Sequence, residues 1–303
     1  MGDGPIFIGG LSYSGKTQLR LMLNAHPNLV ITRRTYLWPR HYNRYGSLAR
    51  DENLATALDA MLADPNIRAL LSNRQRIETE FRAGPHTYAN LFNVFYTNYV
   101  QTVGKRRWGD QLGRAERFAR PIFASFPQAR FIHMVRNPHD RFAVTRAMSR
   151  GRRGKLGWET AQWRNSIELA KSNTSRYLGR YLTVRYEDLV NDTERTVQAV
   201  CAFLEESFYP AMLPGAPESS LDRKIWRDDA TSLTAREMAY VEHRVGPAMK
   251  ALGYRLQQPA LSLAERLLLG VVDVPLNAGG ALAWRLFGMG AAPEPTLTQP
   301  NPT

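Results

Sequence analysis

Short apolar runs punctuated by glycine and proline alternate along this chain with longer segments that carry helical spacing. Ile6-Phe7-Ile8 is a compact apolar run that stops at Gly9-Gly10 and predicts a buried strand. Thr17 to Ala25 has a helical pattern ending before His26-Pro27, because proline disfavours helix in the residue that precedes it. Leu29-Val30-Ile31 predicts a second strand, and Arg107-Trp108-Gly109-Asp110 the end of a third. Arg114 to Ser125 reads as a helix broken at Phe126-Pro127, and Ala129 to Arg136 as a strand closed by Asn137-Pro138. His139 to Ser149 is helical, Tyr181 to Tyr186 is the next strand, and Glu194 to Leu204 is a helix with Thr193 as its N-cap. Thr234 to Leu252 is a further helix, opened by a capping box of Thr234 with Glu237 and stopped at Gly253.

Strands alternating with helices predict an α/β fold, a three-layer sandwich with a central parallel sheet and helices on both faces. Residues 36–107 are less regular. Aromatic and basic residues mix from Tyr36 to Tyr42, and Leu54 to Leu71 and Tyr88 to Val103 read as amphipathic helices. Such a helical insertion suits a lid or acceptor-binding wall, or a simple cover for the sheet. We therefore divide the chain into an α/β domain over 1–258 and an apolar C-terminal part over 259–303. Leu261 to Phe287 is interrupted by Glu265, Arg266, Asp273, Pro275 and Arg285, whereas a spanning helix needs roughly 20 mostly apolar residues. The expectation is two short amphipathic helices, packed on the domain or lying on a membrane surface. The last dozen residues, rich in proline, are expected to be disordered.

Charge changes this picture more than composition does. The 303 residues carry a formal net charge of +13, from 40 basic against 27 acidic residues. That balance favours anionic partners: a nucleotide, an acidic glycan, a nucleic acid or an anionic membrane. No stacking or groove-reading motif accompanies it, so nucleic acid is not the expected partner. The single cysteine, Cys201, excludes an intramolecular disulfide and lies in an apolar stretch, as a buried thiol would. Met1 to Pro5 runs into the first strand with no basic leader, so the expected setting is cytoplasmic, with membrane association through 261–287 as an option.

The chemistry begins at Gly10-Leu11-Ser12-Tyr13-Ser14-Gly15-Lys16-Thr17, which fits the phosphate-loop pattern G-x-x-x-x-G-K-[ST] in full. Glycines let successive backbone N–H groups turn inward, the following helix adds its positive end, and Lys16 and Thr17 add a charge and a hydroxyl. A strand before and a helix after supply the context the motif needs. A nucleotide triphosphatase would also place an acid at the end of another strand to hold magnesium. Here the strand from Phe131 to Val135 ends in Arg136, which would meet a further phosphate, while Tyr181 to Arg185 leads into Glu187-Asp188 and leaves a metal site open.

These residues resemble the nucleotide-binding signatures of sulfotransferases that use 3′-phosphoadenosine-5′-phosphosulfate (PAPS). Gly9 through His26-Pro27 is similar to the family's 5′-phosphosulfate loop, which implies Ser12, Tyr13, Ser14, Gly15, Lys16, Thr17 and Gln18 as cofactor contacts. In most members the basic residue precedes the serine, so Lys16 departs from the pattern. Phe126 to Arg141 looks like the 3′-phosphate segment, with Arg136 as the strand-end arginine. The helping serine about eight residues on is Val144 at strict spacing, and Thr145 beside it takes the assignment. Tyr181 to Leu189 and the basic-aromatic stretch Arg223-Lys224-Ile225-Trp226-Arg227 are the third and fourth similarities, adding Tyr186, Arg223 and Trp226 to the nucleotide site. The resemblance spans about residues 5 to 255.

What it implies is sulfuryl transfer from PAPS to a hydroxyl or amine by in-line displacement, with no metal required if cations neutralise the leaving phosphate. Lys16 would stabilise that charge. An acceptor hydroxyl also needs a base. Relatives carry a glutamate where Arg33-Arg34-Thr35 stands here, and a lysine where Gln111 stands, so Asp110 is the first candidate base and His41 the second. Asp110 could equally be a structural carboxylate that satisfies loop N–H groups, and His41 a packing ring; His26 and His133 are expected to serve turn and core. A carbohydrate, lipid or acidic small molecule would be the acceptor. The competing readings are a P-loop kinase or NTPase using Mg-ATP, and a nonenzymatic nucleotide-binding or membrane-associated protein.

Overall fold

The computed structural model describes residues 4–148, 155–215 and 233–288. Five strands form one parallel sheet: β1 (Ile6–Gly9), β2 (Leu29–Arg33), β3 (Arg107–Gln111), β4 (Arg130–Val135) and β5 (Tyr181–Arg185), ordered β2-β3-β1-β4-β5. All four strand pairs are parallel, and the register sets Ile8 opposite Gln111 on one side and Ile132 on the other. Side chains alternate between faces with the period of a strand. Phe7, Val30, Phe131 and Tyr181 point into one core; Ile6, Ile8, Leu29, Ile31, Ile132, Met134 and Val184 point into the other. Both faces are covered, which is why these strands are nearly continuous apolar runs.

Over the second face lie α1 (Lys16–Asn24), which contributes Leu19, Met22 and Leu23, and α10 (Thr193–Leu204), which contributes Val197, Val200 and Leu204. Between β2 and β3 come α2 (Asp51–Ala63), α3 (Pro65–Arg68), α4 (Arg74–Arg82) and α5 (Tyr88–Thr102), all feeding the first core. The helix expected over Leu54 to Leu71 is thus two helices. Pro65 ends the first, and Asp64 caps the second by accepting from Asn66 N at 2.9 Å. The segment after β3 is a tight turn, Ala115–Phe118, followed by α6 (Ala119–Ser125). Then come α7 (Pro138–Met148), α8 (Lys155–Arg176), α9 (Tyr186–Asn191) and α11 (Ala235–Ala251). A third core of Leu11, Phe142, Trp163, Val241, Val245 and Met249 joins α7, α8 and α11 beside the phosphate loop. The Thr234–Glu237 capping box is formed. Helix α10 is capped at Asp192, and the Thr193 hydroxyl instead donates to Val190 O.

The C-terminal segment departs from expectation. Leu263–Phe287 is one 25-residue helix, long and apolar enough to cross a membrane, in place of two short ones. Pro275 does not break it, because the wide turn Leu269–Asp273 lies just before and absorbs the lost backbone bond. The helix lies against α8. Gly157 N donates to Asn277 Oδ1 at 2.8 Å, and a Cβ at Gly157 would stand 1.7 Å from the backbone oxygen of Asn277. The proline-rich end lies outside the described residues.

Glycine-to-alanine exchange inside a helix ordinarily stabilises it by about 1 kcal/mol. Gly157→Ala is expected to do the reverse, raising hydrogen exchange across residues 263–287 while the sheet stays protected. Unchanged exchange in that helix would contradict the docking.

Candidate active site

The carboxyl end of a parallel sheet gathers the loops that follow its strands, and the order of these strands places β1 at the centre. The loop between β1 and α1 therefore opens between the ends of β3 and β4. Two glycines let it turn. Gly10 has φ +110° and lies so close to Met134 that a Cβ would meet its carbonyl oxygen at 2.2 Å. Gly15 has φ +87° and presses on Tyr186, where a Cβ would meet the ring at 2.3 Å. Tyr13 takes the left-handed region as well, at φ 65°, a conformation that costs a side-chain-bearing residue energy and is retained at functional loops. Helix α1 then starts at Lys16, so the positive end of the helix faces the loop.

Beneath the loop sits Glu116, buried at 2 % exposure. Its Oε2 accepts from Gly10 N at 2.9 Å and its Oε1 from Ser166 Oγ at 2.7 Å. The network continues through His133, whose Nε2 lies 3.1 Å from Ser166 Oγ and whose Nδ1 lies 2.7 Å from Tyr181 OH. Burial pushes the Glu116 carboxyl up, but His133 and the donated hydrogen bonds outweigh it and hold it below the usual carboxylate range. Above it, Lys16 is buried, and its Nζ donates to Gly10 O at 2.7 Å and to Leu11 O. Burial pulls the Lys16 ammonium down to about 7; Glu116 raises it, and Arg141 and Arg34 lower it further. Arg141 straps the loop from the far side. Its Nε donates to Ser12 O at 3.0 Å, and its guanidinium pairs with Glu159 of α8 at 2.8 Å.

A cavity of about 560 Å³ opens over this loop, a size typical of small-ligand sites. Ser12, Tyr13, Gly15, Lys16, Thr17 and Gln18 line its floor, while Ser14 turns inward and donates to Leu11 O at 2.8 Å. Arg136 and Tyr186 form the β4–β5 wall: the guanidinium lies over the Tyr186 ring at 4.5 Å and donates to Tyr13 O at 3.3 Å. Arg33, Arg34, Tyr36, Gln111 and Gly113 form the β2–β3 wall. Arg34 is left-handed at φ 53° and is held there by Arg34 N donating to Gln111 O at 3.1 Å.

Several predicted residues fall elsewhere. Asp110 is fully buried and does not line the cavity. Its carboxylate accepts from Thr32 Oγ1 at 2.8 Å, Thr35 Oγ1 at 2.5 Å and Tyr96 OH at 2.8 Å, bracing the two residues that flank Arg33 and Arg34. Burial pushes it up to about 6 against those bonds. His41 is buried too, with Nδ1 2.7 Å from Tyr45 OH and burial lowering its pKa, and it also lies outside the cavity lining. A general base must lie within hydrogen-bond reach of the proton it takes, directly or through one water; in this arrangement neither group faces the cavity. Thr145 is buried inside α7, donating to Phe142 O at 3.1 Å, and is likewise absent from the lining. Arg223 and Trp226 lie outside the described residues. His26 serves its turn, accepting from Asn28 N at 3.0 Å, and His133 serves the core. Glu187 is engaged on both oxygens, by Asn137 N at 2.7 Å and Tyr254 OH at 2.9 Å, and so ties the end of β4 to the chain after α11.

Sequence reasoning missed Glu116 and the strap role of Arg141. Local pattern gives no signal for Glu116, since its partners Gly10 and Ser166 stand 106 and 50 residues away. Arg141 was within reach, lying one turn into the helix that follows Asn137-Pro138.

A phosphate oxygen beside Nζ favours the charged lysine. Free Lys16 is mostly neutral above pH 7, so anion binding there takes up a proton and affinity falls as pH rises from 7 toward 9. Below pH 6 the Lys16 contribution to that slope vanishes. Calorimetry with inorganic pyrophosphate at pH 8, in buffers of different ionisation enthalpy, should show the wild type taking up close to one proton more than Lys16→Met.

Comparison with known proteins agrees with this geometry. The Sulfotransferase family matches residues 5–210. Among solved structures, the sulfotransferase domain of the Synechococcus PCC 7002 olefin synthase is similar at 22 % identity and a TM-score of 0.50, over 88 % of this chain and 93 % of that one. The sulfotransferase domain from the curacin biosynthetic pathway follows at 20 % identity and a TM-score of 0.48, over 88 % of this chain and 97 % of that one. Retinol dehydratase, solved with retinol and PAP, is more distant, at 12 % identity and a TM-score of 0.38 over 82 % of each chain. No curated protein matches. With a fold shared with the olefin synthase domain and the family matched across well over half of its length, the chain belongs to the sulfotransferase family.

Proposed function

We propose that this sulfotransferase takes its sulfuryl group from PAPS and passes it in line to a hydroxyl or amine of a small-molecule, carbohydrate or lipid acceptor. The observation that carries the reading is the pair of cationic stations on the cavity: Lys16 at the start of α1, and Arg136 at the end of β4. Two separated phosphate stations match a nucleotide phosphorylated at both 3′ and 5′ positions, and a nucleoside triphosphate needs only one. Close approach at Gly10 and Gly15 supports the fit, since a side chain there would strike Met134 or the Tyr186 ring and force the loop open.

When bound, the donor would supply a sulfur centre whose bond to the 5′-phosphate breaks as the acceptor oxygen or nitrogen bonds to it, the acceptor's proton passing to water. The loop N–H groups and Lys16 meet the charge that grows on the departing phosphate, and losing one such donor costs on the order of 10²–10³ in rate. Lys16 would leave the carbonyls of Gly10 and Leu11 to do this, recovering its full charge beside the anion. Arg136 fixes the 3′ end, with Tyr186 holding its guanidinium in place. On the opposite wall, Arg33, Arg34, Tyr36 and Gln111 face the acceptor, with Asp110 keeping the end of β2 rigid.

The Mg-ATP reading loses ground to a specific feature. An arginine occupies the end of β4, and both Glu187 oxygens are already engaged.

Calorimetric binding of 3′-phosphoadenosine-5′-phosphate against Mg-ATP, on wild type and Arg136→Ala, tests the reading. Binding of the bisphosphate should be indifferent to chelator and should weaken about 10- to 100-fold in the variant, the worth of a hydrogen bond to a charged group at roughly 1.5–3 kcal/mol. A preference for Mg-ATP that ignores Arg136 would overturn it.

A further inference from the structure

The C-terminal helix Leu263–Phe287 meets the rest of the chain along one stripe. Asp273, Asn277, Ala281 and Trp284, spaced by four, four and three, face inward. Asp273 pairs with Arg236 of α11 at 2.9 Å, Asn277 bonds Gly157 of α8, and Arg114 lies over the Trp284 ring at 5.9 Å. The other side is bare. Leu263, Leu267, Val271, Leu282, Leu286 and Phe287 are 56 % to 80 % exposed. Single exposed leucines are ordinary, but a contiguous apolar face along a 25-residue helix marks an interaction surface.

The charges on the helix point to one occupant. Both of its acids are spent within the chain: Glu265 accepts from Ser262 N at 2.9 Å and Ser262 Oγ at 2.8 Å, and Asp273 holds Arg236. What remains exposed is arginine, Arg266 near one end and Arg285 near the other. Arg285 also borders a hollow shared with Arg164, Arg244 and Trp284, where Glu168 answers Arg164 alone.

We propose that this face rests on an anionic lipid surface. The helix lies in the plane of the interface, its leucines, valines and Phe287 enter the acyl boundary, and Arg266 and Arg285 meet the headgroups. A second copy fits less well. In antiparallel contact Arg266 of one copy would stand against Arg285 of the other at both ends, and Glu265, beside Arg266, is held in its own helix cap. Spanning the bilayer fits less well again, since it would break the Asn277 and Asp273 contacts and bring Asp273 into hydrocarbon. Docking in the plane keeps every contact of the inward stripe. It also sets the cavity close to the lipid, because Gly113, next to Arg114, lines the β3 wall.

Co-sedimentation of the full chain with phosphatidylcholine vesicles, with and without phosphatidylglycerol, tests this. The wild type should bind the anionic vesicles at least tenfold better and lose that preference in high salt. Leu267→Ser with Val271→Ser and Leu286→Ser should abolish binding. These positions are exposed, so circular dichroism and pyrophosphate binding should be unchanged. Arg266→Gln with Arg285→Gln should remove about fivefold per arginine, from the ~1 kcal/mol each contributes at an anionic surface. Undiminished binding by the serine variant would overturn the proposal. So would a wild type that ignores vesicles and dimerises through this helix, or one that resists extraction by alkaline carbonate as a spanning protein does. None of these outcomes depends on the identity of the sulfuryl donor.

Discussion

Glu116 accepts the Gly10 N–H on one oxygen and the Ser166 hydroxyl on the other, with His133 completing the network below. A buried carboxylate without partners would be expensive; both oxygens of this one accept hydrogen bonds. Its charge offsets part of the burial that pulls the Lys16 ammonium down to about 7. The loop that must cradle an anion is itself built around one. Arg141 closes the arrangement by tying Ser12 to α8, so the loop is braced from the sheet, from below and from the side.

That bracing leaves the cavity cationic. Lys16, Arg33, Arg34 and Arg136 all line it, and burial together with neighbouring arginines already pulls the Lys16 ammonium down to about 7. Preorganised donors facing a dry site cost nothing to reorganise when charge develops, which is the largest usual source of rate in group transfer. The same arrangement sets like charges close together, and a multiply charged anion would relieve them. On the acceptor side, Asp110 contributes through geometry: its bonds to Thr32 and Thr35 grip the chain on either side of Arg33-Arg34.

The sheet was legible because parallel strands buried on both faces leave continuous apolar runs such as Ile6-Phe7-Ile8 and Phe131 to Val135. The phosphate loop and Arg136 were legible because a glycine-rich turn and a strand-end charge are local features. What stayed hidden depends on partners remote in sequence. Asp110 reads as a strand-end acid open to a cleft, yet Thr32 and Thr35 arrive from 78 and 75 residues away to enclose it. Charged residues in Leu263–Phe287 read as interruptions, yet Glu265 serves the Ser262 cap and Asp273 pairs with Arg236, and the helix runs on unbroken. Helix α8 has no clean apolar stripe, because Ser166 and Asn173 face inward to serve Glu116, and the periodicity is lost.

The central claim is that Lys16 and the loop around it discharge a sulfuryl donor. The most direct measurement follows the radiolabelled sulfuryl group of PAPS into a panel of hydroxyl and amine acceptors, by wild type and Lys16→Met, with chelator present. The account predicts label in at least one acceptor and a rate lower by on the order of 10²–10³ in the variant. Undiminished transfer by the variant, or label that stays on PAPS while Mg-ATP is consumed, would contradict it.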